Sequence, residues 1–351
     1  MDKRLINKYK NYRKQKYLNF QQGFKFKYAF VGVGNHSINN LYPCLDYLNV
    51  PIKYVCTRTP DNAAKMARRY PGAIGTDDID KVVKDPEVAG VLISAEPSSH
   101  FDLANKVISS RKSVFVEKPP CMSLSELREL KQIAEKSQVV CTVGLQRRYS
   151  TVYSMLEKRL KRPNSYSMRF VTGGYPEGDE ILDLFIHPLD IVIYLFGKTE
   201  NVVVKSTTRT GSLTLFLILE HENGVVGSME LSTNYVWNRA RESLIVNAER
   251  GIFEANDLNK LTYNAKSLNV LGIPLEKIIS SKQTEEVLFD NSTFIPIAKH
   301  NQIFTHGFFK EIETFVDDVE NDKKGSLSTP GMVMPTYELI ENITGILDGK
   351  G

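Results

Sequence analysis

Short apolar runs alternate with helical patterns over the first 150 residues. Each run is continuously apolar and rich in β-branched residues, which is typical of strands buried on both faces. The runs cover 28–33, 52–56, 88–94, 112–116 and 139–143, and the helical patterns cover 62–70, 100–109 and 124–136. Strands that alternate with helices predict a parallel sheet with helices on both faces.

The pattern changes after residue 150. One long apolar helix is predicted over 181–196, ending at Gly197, and strand-like segments follow without helices between them. Those segments cover 202–207, 212–220, 225–231, 244–247 and 251–254, and helical patterns return at 307–320 and 335–346. The Asn223-Gly224 pair is a hairpin signal. The fold class is therefore α/β, with a doubly wound domain over 28–148 and an α+β domain with a mostly antiparallel sheet over 149–351.

Positive charge is concentrated at the start of the chain. Residues 1–27 contain nine Lys or Arg and one acid, whereas the whole chain of 351 residues has a net charge of +4. The remainder is therefore mildly acidic, which argues against a DNA-binding body. The basic arm 1–27 also has Leu5, Tyr9 and Tyr12 at helical spacing. We expect it to pack on its own first domain or on a neighbouring subunit, with an acidic membrane surface or nucleic acid as alternatives.

Cysteine usage and apolar runs limit the class of protein. Four cysteines stand far apart without a Cys-x-x-Cys pair, which favours reduced thiols over a disulfide scaffold or a zinc site. No apolar run reaches the roughly 18 residues that span a bilayer. The arm lacks an apolar stretch and serine, so we expect neither a secretory signal nor a transit peptide. We expect a cytoplasmic protein without a metal site.

The first strand ends in a glycine-rich turn, residues 32–37. Its two glycines, Gly32 and Gly34, allow the backbone to approach a pyrophosphate, and the following helix offers free N–H groups to phosphates. Ser37 stands where this fingerprint has a third glycine. The second strand ends in Thr57-Arg58 rather than in an acid, and a guanidinium suits a 2′-phosphate, so NADP is predicted over NAD. An ordinary surface role for Arg58 is the alternative.

Lys118 follows a buried strand, where ligands bind in open α/β sheets, and Glu117 stands beside it. Asp183 and His187 are four residues apart on the predicted helix and so share a face. A carboxylate beside an imidazole favours the imidazolium and fixes its tautomer, which suits a group that removes a hydroxyl proton. The ordinary alternative is a helix N-terminal aspartate and a core histidine.

Several segments together resemble the glucose-fructose oxidoreductase / inositol dehydrogenase (Gfo/Idh/MocA) family. Glu117-Lys118-Pro119 resembles its Glu-Lys-Pro signature. Residues 96–100, 144–149 and 183–190 resemble, in the family's order, its Thr-Pro-Asn-x-x-His, Gly-x-Asn-Arg-Arg-Phe and Asp-x-Gly-x-His-x-x-Asp segments. The resemblance covers the chain from about Tyr28 to the C-terminal helix. The sequence departs from the family pattern at Ser37, Glu96, Ser98 and Phe185.

The resemblance implies an NAD(P)-dependent oxidoreductase that transfers a hydride between nicotinamide and a hydroxyl or keto carbon of a sugar, polyol or sugar nucleotide. In this interpretation His187 takes the hydroxyl proton, Asp183 holds His187, and Lys118 polarises the oxygen. The expected cofactor-binding residues are Gly32, Gly34, Asn35, His36, Thr57, Arg58, Ala95, Glu96, Pro97, His100, Glu117 and Gln146.

The candidate substrate residues are Arg148, Tyr175, Tyr235, Trp237 and Arg239. A loop of aromatic rings and arginines suits a sugar face and a phosphate, although packing on a neighbouring subunit explains it equally well. Of Arg147 and Arg148, we expect one to bind a ligand and the other to form a structural salt bridge, and we expect Asp190 to be a structural anchor.

Two other functions remain open. One is a redox-neutral enzyme with tightly bound NAD, as in some glycoside cleavage. The other is a non-catalytic sensor of a dinucleotide or sugar, against which the combination of Lys118, Asp183 and His187 argues. The resemblance also implies that domain 149–351 binds substrate and forms a homo-oligomer through its sheet. No nucleic-acid partner and no integral membrane segment are expected.

Overall fold

A computed structural model describes residues 3–18, 23–174, 178–267, 269–270, 273–274, 285–292 and 301–349 of the chain. It begins with helix α1 (Lys3–Leu18), on which Leu5, Tyr9 and Tyr12 are each more than half exposed. The end of the arm is attached to the body, because the Lys25 backbone N–H donates to the Glu320 carboxylate at 2.8 Å.

Six parallel strands form the first sheet, in the order β3-β2-β1-β4-β5-β6. They are β1 (Lys27–Val31), β2 (Ile52–Cys56), β3 (Ile74–Thr76), β4 (Val88–Ile93), β5 (Ser113–Glu117) and β6 (Cys141–Gly144). The connecting helices are α2 (Tyr42–Leu48), α3 (Pro60–Ala67), α4 (Ile79–Lys84), α5 (His100–Ser109) and α6 (Leu124–Ser137). Strand order reverses between β1 and β4, so their carboxyl ends border a crevice at the switch point.

Alternate residues of these strands enter two different cores. Phe30 and Phe115 belong to the apolar cluster on one face, whereas Val31 and Val116 belong to the cluster on the other. Both faces of the sheet are covered, which explains why each strand is a continuous run of apolar residues. The predicted doubly wound sheet is confirmed. The first cluster also includes Phe315 from the C-terminal part of the chain.

Eight strands form the second sheet, in the order β16-β13-β12-β11-β7-β10-β9-β8. They are β7 (Pro163–Gly173), β8 (Thr199–Arg209), β9 (Ser212–His221), β10 (Val226–Tyr235), β11 (Arg241–Ala248), β12 (Gly251–Asn256), β13 (Lys260–Ala265) and β16 (Glu285–Asp290), and β14 (Asn269–Val270) pairs with β15 (Ile273–Pro274). The other helices are α7 (Thr151–Arg159), α8 (Ile186–Phe196), α9 (Gln302–Thr305), α10 (Phe308–Asn321) and α11 (Pro330–Leu347). Only the β7–β10 pairing is parallel among the described strands of this sheet.

One face of the large sheet is buried and the other is open. Along β9, Leu215, Leu217 and Leu219 are buried, whereas the intervening Phe216 and Ile218 are about half exposed. This alternation is typical of an antiparallel sheet that packs helices on one side only. The predicted hairpin at Asn223-Gly224 joins β9 to β10, confirming that interpretation.

Two predicted helices differ from the structure. The helix predicted over 181–196 is divided into a π-helical turn, Glu180–Phe185, and the α-helix α8. The helix predicted from Pro335 begins at Pro330, so that Pro335 lies inside it. Among the described residues, no helix has both the length and the apolar character that crossing a bilayer requires.

Candidate active site

A cleft of about 820 Å³ opens at the carboxyl ends of β1, β2 and β4. The predicted residues that line it are Gly32, Gly34, Asn35, His36, Thr57, Arg58, Ala95, Glu96, Pro97 and Asp183. Asp77 and Met122 line it as well and were not predicted. The same cleft is therefore lined by the glycine-rich turn, by the end of β2 and by Asp183, the carboxylate that is predicted to be catalytic.

The two glycines of the turn have different physical roles. Gly32 has φ of +107°, and a Cβ there would lie 2.0 Å from the Ser94 carbonyl oxygen, so only glycine fits between β1 and β4. A Cβ at Gly34 would meet nothing within 4 Å, which leaves its backbone open to a ligand. Ser37, in place of the third glycine, is buried and its Oγ bonds to the Gly34 backbone N–H and carbonyl, each at 3.0 Å. The turn is open to a ligand and is held in shape by the Ser37 hydroxyl, so it suits the pyrophosphate of a dinucleotide.

His36 joins this turn to the loop that carries Lys118. Its Nε2 lies 3.2 Å from Glu117 Oε1, and its Nδ1 lies 3.1 Å from the Asn40 side-chain amide. Burial acts to lower the pKa of His36, but the buried Glu117 carboxylate outweighs it, and the net pKa is raised. Burial acts to raise the pKa of Glu117, and the neighbouring His36 and Lys118 bring it below its usual value. Glu117, predicted to bind the cofactor, does not line the cleft, and it links His36 to the Lys118 backbone N–H instead.

The Lys118 ammonium is held by a backbone carbonyl. Its Nζ donates to the Asp183 carbonyl oxygen at 2.7 Å. Asp183 lies in the π-helical turn, in which the N–H five residues later would bond to this carbonyl, and the residue five later is Pro188, which has no N–H. Burial lowers the pKa of Lys118, and the carboxylates of Glu117 and Asp183 oppose that shift. A lysine with a lowered pKa in this position suits proton transfer.

The predicted pairing of Asp183 with His187 is wrong. The Asp183 carboxylate accepts the Asp179 backbone N–H at 3.1 Å, and no described residue bonds to the buried His187 Nδ1. Asp183 lies in the π-helical turn, which ends at Phe185, whereas His187 lies in α8. The four-residue spacing therefore does not have the geometry of one continuous α-helix. Burial raises the pKa of Asp183. Burial, and then the positive charge of Arg147 and Lys118, lower the pKa of His187 well below its ordinary value, so its imidazole is neutral.

Arg148 is not available to a substrate. It is 2% exposed, and its Nε and Nη2 donate to the two Asp190 carboxylate oxygens at 2.8 and 2.5 Å. The predicted substrate role is therefore corrected to a structural one, with Asp190 as the anchor. Thr336 donates to the same carboxylate at 2.9 Å, so the pair also joins α8 to α11.

His100 and Gln146 do not line the cleft. His100 is buried, and its ring bonds to the backbone of Ala95 and Pro119, with Nδ1 2.8 Å from the Pro119 carbonyl oxygen. It therefore positions the loop after β4 against the Lys118 loop, instead of facing the cofactor as predicted. The Gln146 carbonyl oxygen packs against Gly307, where a Cβ would lie only 2.0 Å away.

Arg147 forms an ion pair with Glu242, a partner that the sequence did not identify. Its Nη2 lies 2.6 Å from Glu242 Oε2, and the Tyr153 hydroxyl donates to Glu242 Oε1 at 2.7 Å. The guanidinium lies over the Phe170 ring, 5.4 Å from its centroid. Glu242 lies near the start of β11, more than 90 residues later in the chain, and no local pattern marks it as the partner of Arg147.

The aromatic loop lies beside the end of β7. Trp237 Nε1 donates to the Gly174 carbonyl oxygen at 2.8 Å, and Trp237 and Tyr235 are each about half exposed. Neither these residues nor Arg239 line the cofactor cleft. Tyr175 lies outside the described residues. Within the described ranges no group of three or more His, Cys, Asp or Glu is arranged to hold a metal.

Both halves of the chain match one family of known proteins. Residues 26–145 match the profile of the GFO_IDH_MocA oxidoreductase family, NAD-binding Rossmann fold, and residues 172–345 match its C-terminal alpha/beta domain. The scyllo-inositol 2-dehydrogenase (NAD(+)) of Bacillus subtilis (strain 168) is 27% identical over 225 residues, which are 57% of this chain and 66% of that protein.

Solved structures share the fold across nearly the whole chain. A dehydrogenase from Chromobacterium violaceum superposes with a TM-score of 0.81 at 18% identity, covering 92% of this chain and 96% of its own. UDP-N-acetylglucosamine 3-dehydrogenase GnnA from Acidithiobacillus ferrooxidans superposes with a TM-score of 0.73 at 17% identity. The match covers 92% of this chain and 98% of that protein.

Proposed function

Because this chain belongs to the Gfo/Idh/MocA family of oxidoreductases, we propose that it transfers a hydride between NAD(P) and a hydroxyl or keto carbon of a sugar, polyol or sugar nucleotide. The observation that carries this proposal is the partly buried Lys118, held by the Asp183 carbonyl beside a cleft suited to a dinucleotide. The relatives support the substrate class, since one is named for an inositol and another for a sugar nucleotide.

Bound nicotinamide supplies or accepts the hydride. The residues of this chain then have to bind the substrate oxygen and move its proton. In the oxidation direction the substrate C–H bond breaks with its electron pair, the O–H proton leaves to a base, and the C=O bond forms. Lys118 and His187 are proposed to contact this oxygen, and the lowered pKa of Lys118 makes its neutral amine accessible as that base.

We propose NADP as the preferred cofactor and NAD as the alternative. Arg58 lines the cleft beyond β2, and its guanidinium suits a 2′-phosphate. Asp77 lines the same cleft, and a carboxylate in reach of a ribose suits the free 2′-hydroxyl of NAD. Arg58→Ala is expected to raise the KM for NADPH several-fold and to leave that for NADH nearly unchanged. A larger effect on NADH would assign NAD instead.

The substrate is proposed to approach from the aromatic loop. Tyr235, Trp237 and Arg239 present two exposed rings and a cation next to the strand end that precedes Tyr175. Aromatic rings pack on the apolar faces of sugars. Trp237→Ala is expected to raise KM for a sugar substrate with a smaller change in kcat, and an unchanged KM would remove the loop from the substrate site.

Turnover of reduced cofactor tests the proposed function directly. A panel of keto sugars, inosose-type ketones and keto sugar nucleotides is incubated with NADPH or NADH, and loss of nicotinamide absorbance is followed. We expect stoichiometric oxidation with at least one substrate. Dinucleotide binding without net oxidation for any compound, combined with cofactor that does not exchange after purification, would contradict the proposal.

A further inference from the structure

His36 lies where the glycine-rich turn meets the loop that carries Lys118. Its side chain lines the cleft and is 44% exposed. The ring is also held from two other sides. Its Nδ1 lies 3.1 Å from the Asn40 side-chain amide, and the Phe308 ring packs against it in a T-shaped arrangement with 5.7 Å between the centroids. The imidazole therefore has a fixed position between the cleft and the interior.

The inner side of this ring bonds to a buried carboxylate. His36 Nε2 lies 3.2 Å from Glu117 Oε1, and because a carboxylate can only accept, the hydrogen of this bond is on Nε2. The Glu117 side chain is only 7% exposed. It also has little room to move, since a Cβ added at Gly144 would lie 2.9 Å from Glu117 Cδ. A carboxylate buried in this way needs a donor, and His36 provides one.

The second oxygen of Glu117 holds the backbone of the next residue. Glu117 Oε2 accepts the Lys118 backbone N–H at 3.1 Å, and the Lys118 ammonium donates to the Asp183 carbonyl oxygen at 2.7 Å. A continuous series of hydrogen bonds therefore runs from the glycine-rich turn, through Glu117, to the lysine that is proposed to move the substrate proton.

We propose that His36 is a positioning residue, which holds Glu117 so that Glu117 fixes the Lys118 loop, and that a dinucleotide in the cleft tightens this link. The inference rests on the proposed function only in naming the dinucleotide. A ligand that fills the cleft excludes water from the exposed side of His36, and a hydrogen bond to a carboxylate is stronger where water is excluded. Binding at the turn therefore orders Lys118 before any substrate is present.

This role differs from a direct contact between His36 and the cofactor. A ring that only contacts the dinucleotide affects the dinucleotide Kd and leaves the Lys118 backbone unchanged. A ring that positions Glu117 affects the Lys118 N–H even in the free protein. A measurement on that N–H therefore separates the two roles.

Hydrogen exchange of the Lys118 amide provides this measurement without substrate. It is followed by NMR in ¹⁵N-lysine-labelled protein, in which Lys118→Met identifies the signal. In the free protein His36→Leu removes the donor to Glu117, and we expect the amide to exchange about tenfold faster or more, an effect that a hydrogen bond to a charged group supports. His36→Gln retains an N–H donor and is expected to exchange near the wild-type rate. Asn35→Leu, which changes another side chain lining the cleft, is the control and is expected to leave the rate unchanged.

Saturating NADPH or NADH then tests the coupling, with saturation checked by calorimetry for each variant. We expect the dinucleotide to slow Lys118 exchange several-fold in the wild-type protein and in His36→Gln, but not in His36→Leu. Equal rates in the free wild-type and His36→Leu proteins would overturn the positioning role.

The coupling has its own contradicting results. No slowing in the saturated wild-type protein would overturn it without any variant, and equal slowing in His36→Leu would assign it to another path. If the wild-type protein binds neither dinucleotide, the proposed function and the coupling both fail, whereas the free-protein comparison still decides whether His36 holds the Lys118 loop.

Discussion

At the scale of single residues, each cation at or behind the site is held by an identified oxygen acceptor, a backbone carbonyl for Lys118 and a carboxylate for the two arginines. Lys118 is held by the Asp183 carbonyl, and Arg148 is locked to Asp190 in the interior. The sequence predicts that one of Arg147 and Arg148 forms a salt bridge, but not which, because adjacent arginines on a turn point in different directions. In the structure both are paired, Arg147 with Glu242. Only the folded chain brings these partners together.

Arg148→Met is expected to destabilise the protein strongly. It leaves the Asp190 carboxylate buried without its cation, which costs about 3–5 kcal/mol. Urea denaturation monitored by circular dichroism measures the change. As the control, Arg162→Met removes an exposed pair with Glu249, and it is expected to leave the midpoint nearly unchanged. Equal effects of the two substitutions would contradict the structural role of Arg148.

His306, a partly buried histidine with a lowered pKa, predicts a pH dependence of stability. The pKa of His306 is about 4 in the folded protein, because of burial and Arg147, and about 6.5 when unfolded. Between these values the unfolded chain binds more protons, so the free energy of unfolding falls as pH falls from 6.5 to 4. His306→Gln removes this titration, and its stability is expected to decline less steeply in urea melts at pH 4.5 to 7. Identical slopes would disprove the assignment.

At the scale of elements, the buried parallel strands were predictable because both of their faces are apolar. Strand β7, which pairs with both β10 and β11, was not predicted. Its alternate residues are polar and it begins with Pro163 and Asn164, so it has no continuous apolar run. The π-helical turn was missed for another reason. Its residues 180–185 fit an uninterrupted apolar helix, and the wider turn is fixed by tertiary contacts such as that of the Asp183 carbonyl with Lys118.

A substitution in the glycine-rich turn tests whether this turn binds the phosphates of a dinucleotide. Gly34→Ala adds a methyl group where nothing lies within 4 Å, so the fold is expected to be unaffected. The methyl group would stand where the pyrophosphate approaches, and we expect the dinucleotide Kd to rise about tenfold or more, or about 1.4 kcal/mol. Isothermal titration calorimetry measures Kd, and thermal unfolding checks the fold. Gly345→Ala, also in open space, is the control, and equal Kd values in both variants would exclude this turn as the phosphate site.

At the scale of the whole molecule, the large sheet has an apolar row on its open face. The strand register places Val203 opposite Ile218, and Ile245 lies on the same row across the sheet through Ser228 and Ser167. Val203, Ile218 and Ile245 are each exposed by more than two fifths. Exposed apolar side chains grouped on one face are typical of interaction surfaces. We propose that a second copy of the chain covers it.

Phe216→Glu is expected to convert the oligomer to a monomer. Phe216 is 51% exposed on this face, and a carboxylate there would be buried without a partner in the interface. Size-exclusion chromatography with light scattering gives the mass. Ile74→Glu on the first sheet, where Ile74 is also exposed, is expected to leave the assembly unchanged. A wild-type monomer, or an intact oligomer in Phe216→Glu, would contradict the assigned interface.

The most direct test of the account is stopped-flow absorbance of nicotinamide in Lys118→Met. With a substrate found in the panel, we predict that the hydride-transfer rate falls about 10²- to 10⁴-fold, the range that positioned acid–base groups contribute. The dinucleotide Kd is predicted to stay at the wild-type value. Lys310→Met, which loses only an exposed pair with Glu313, is the control and is predicted to react at the wild-type rate. Hydride transfer at the wild-type rate in Lys118→Met would contradict the central claim.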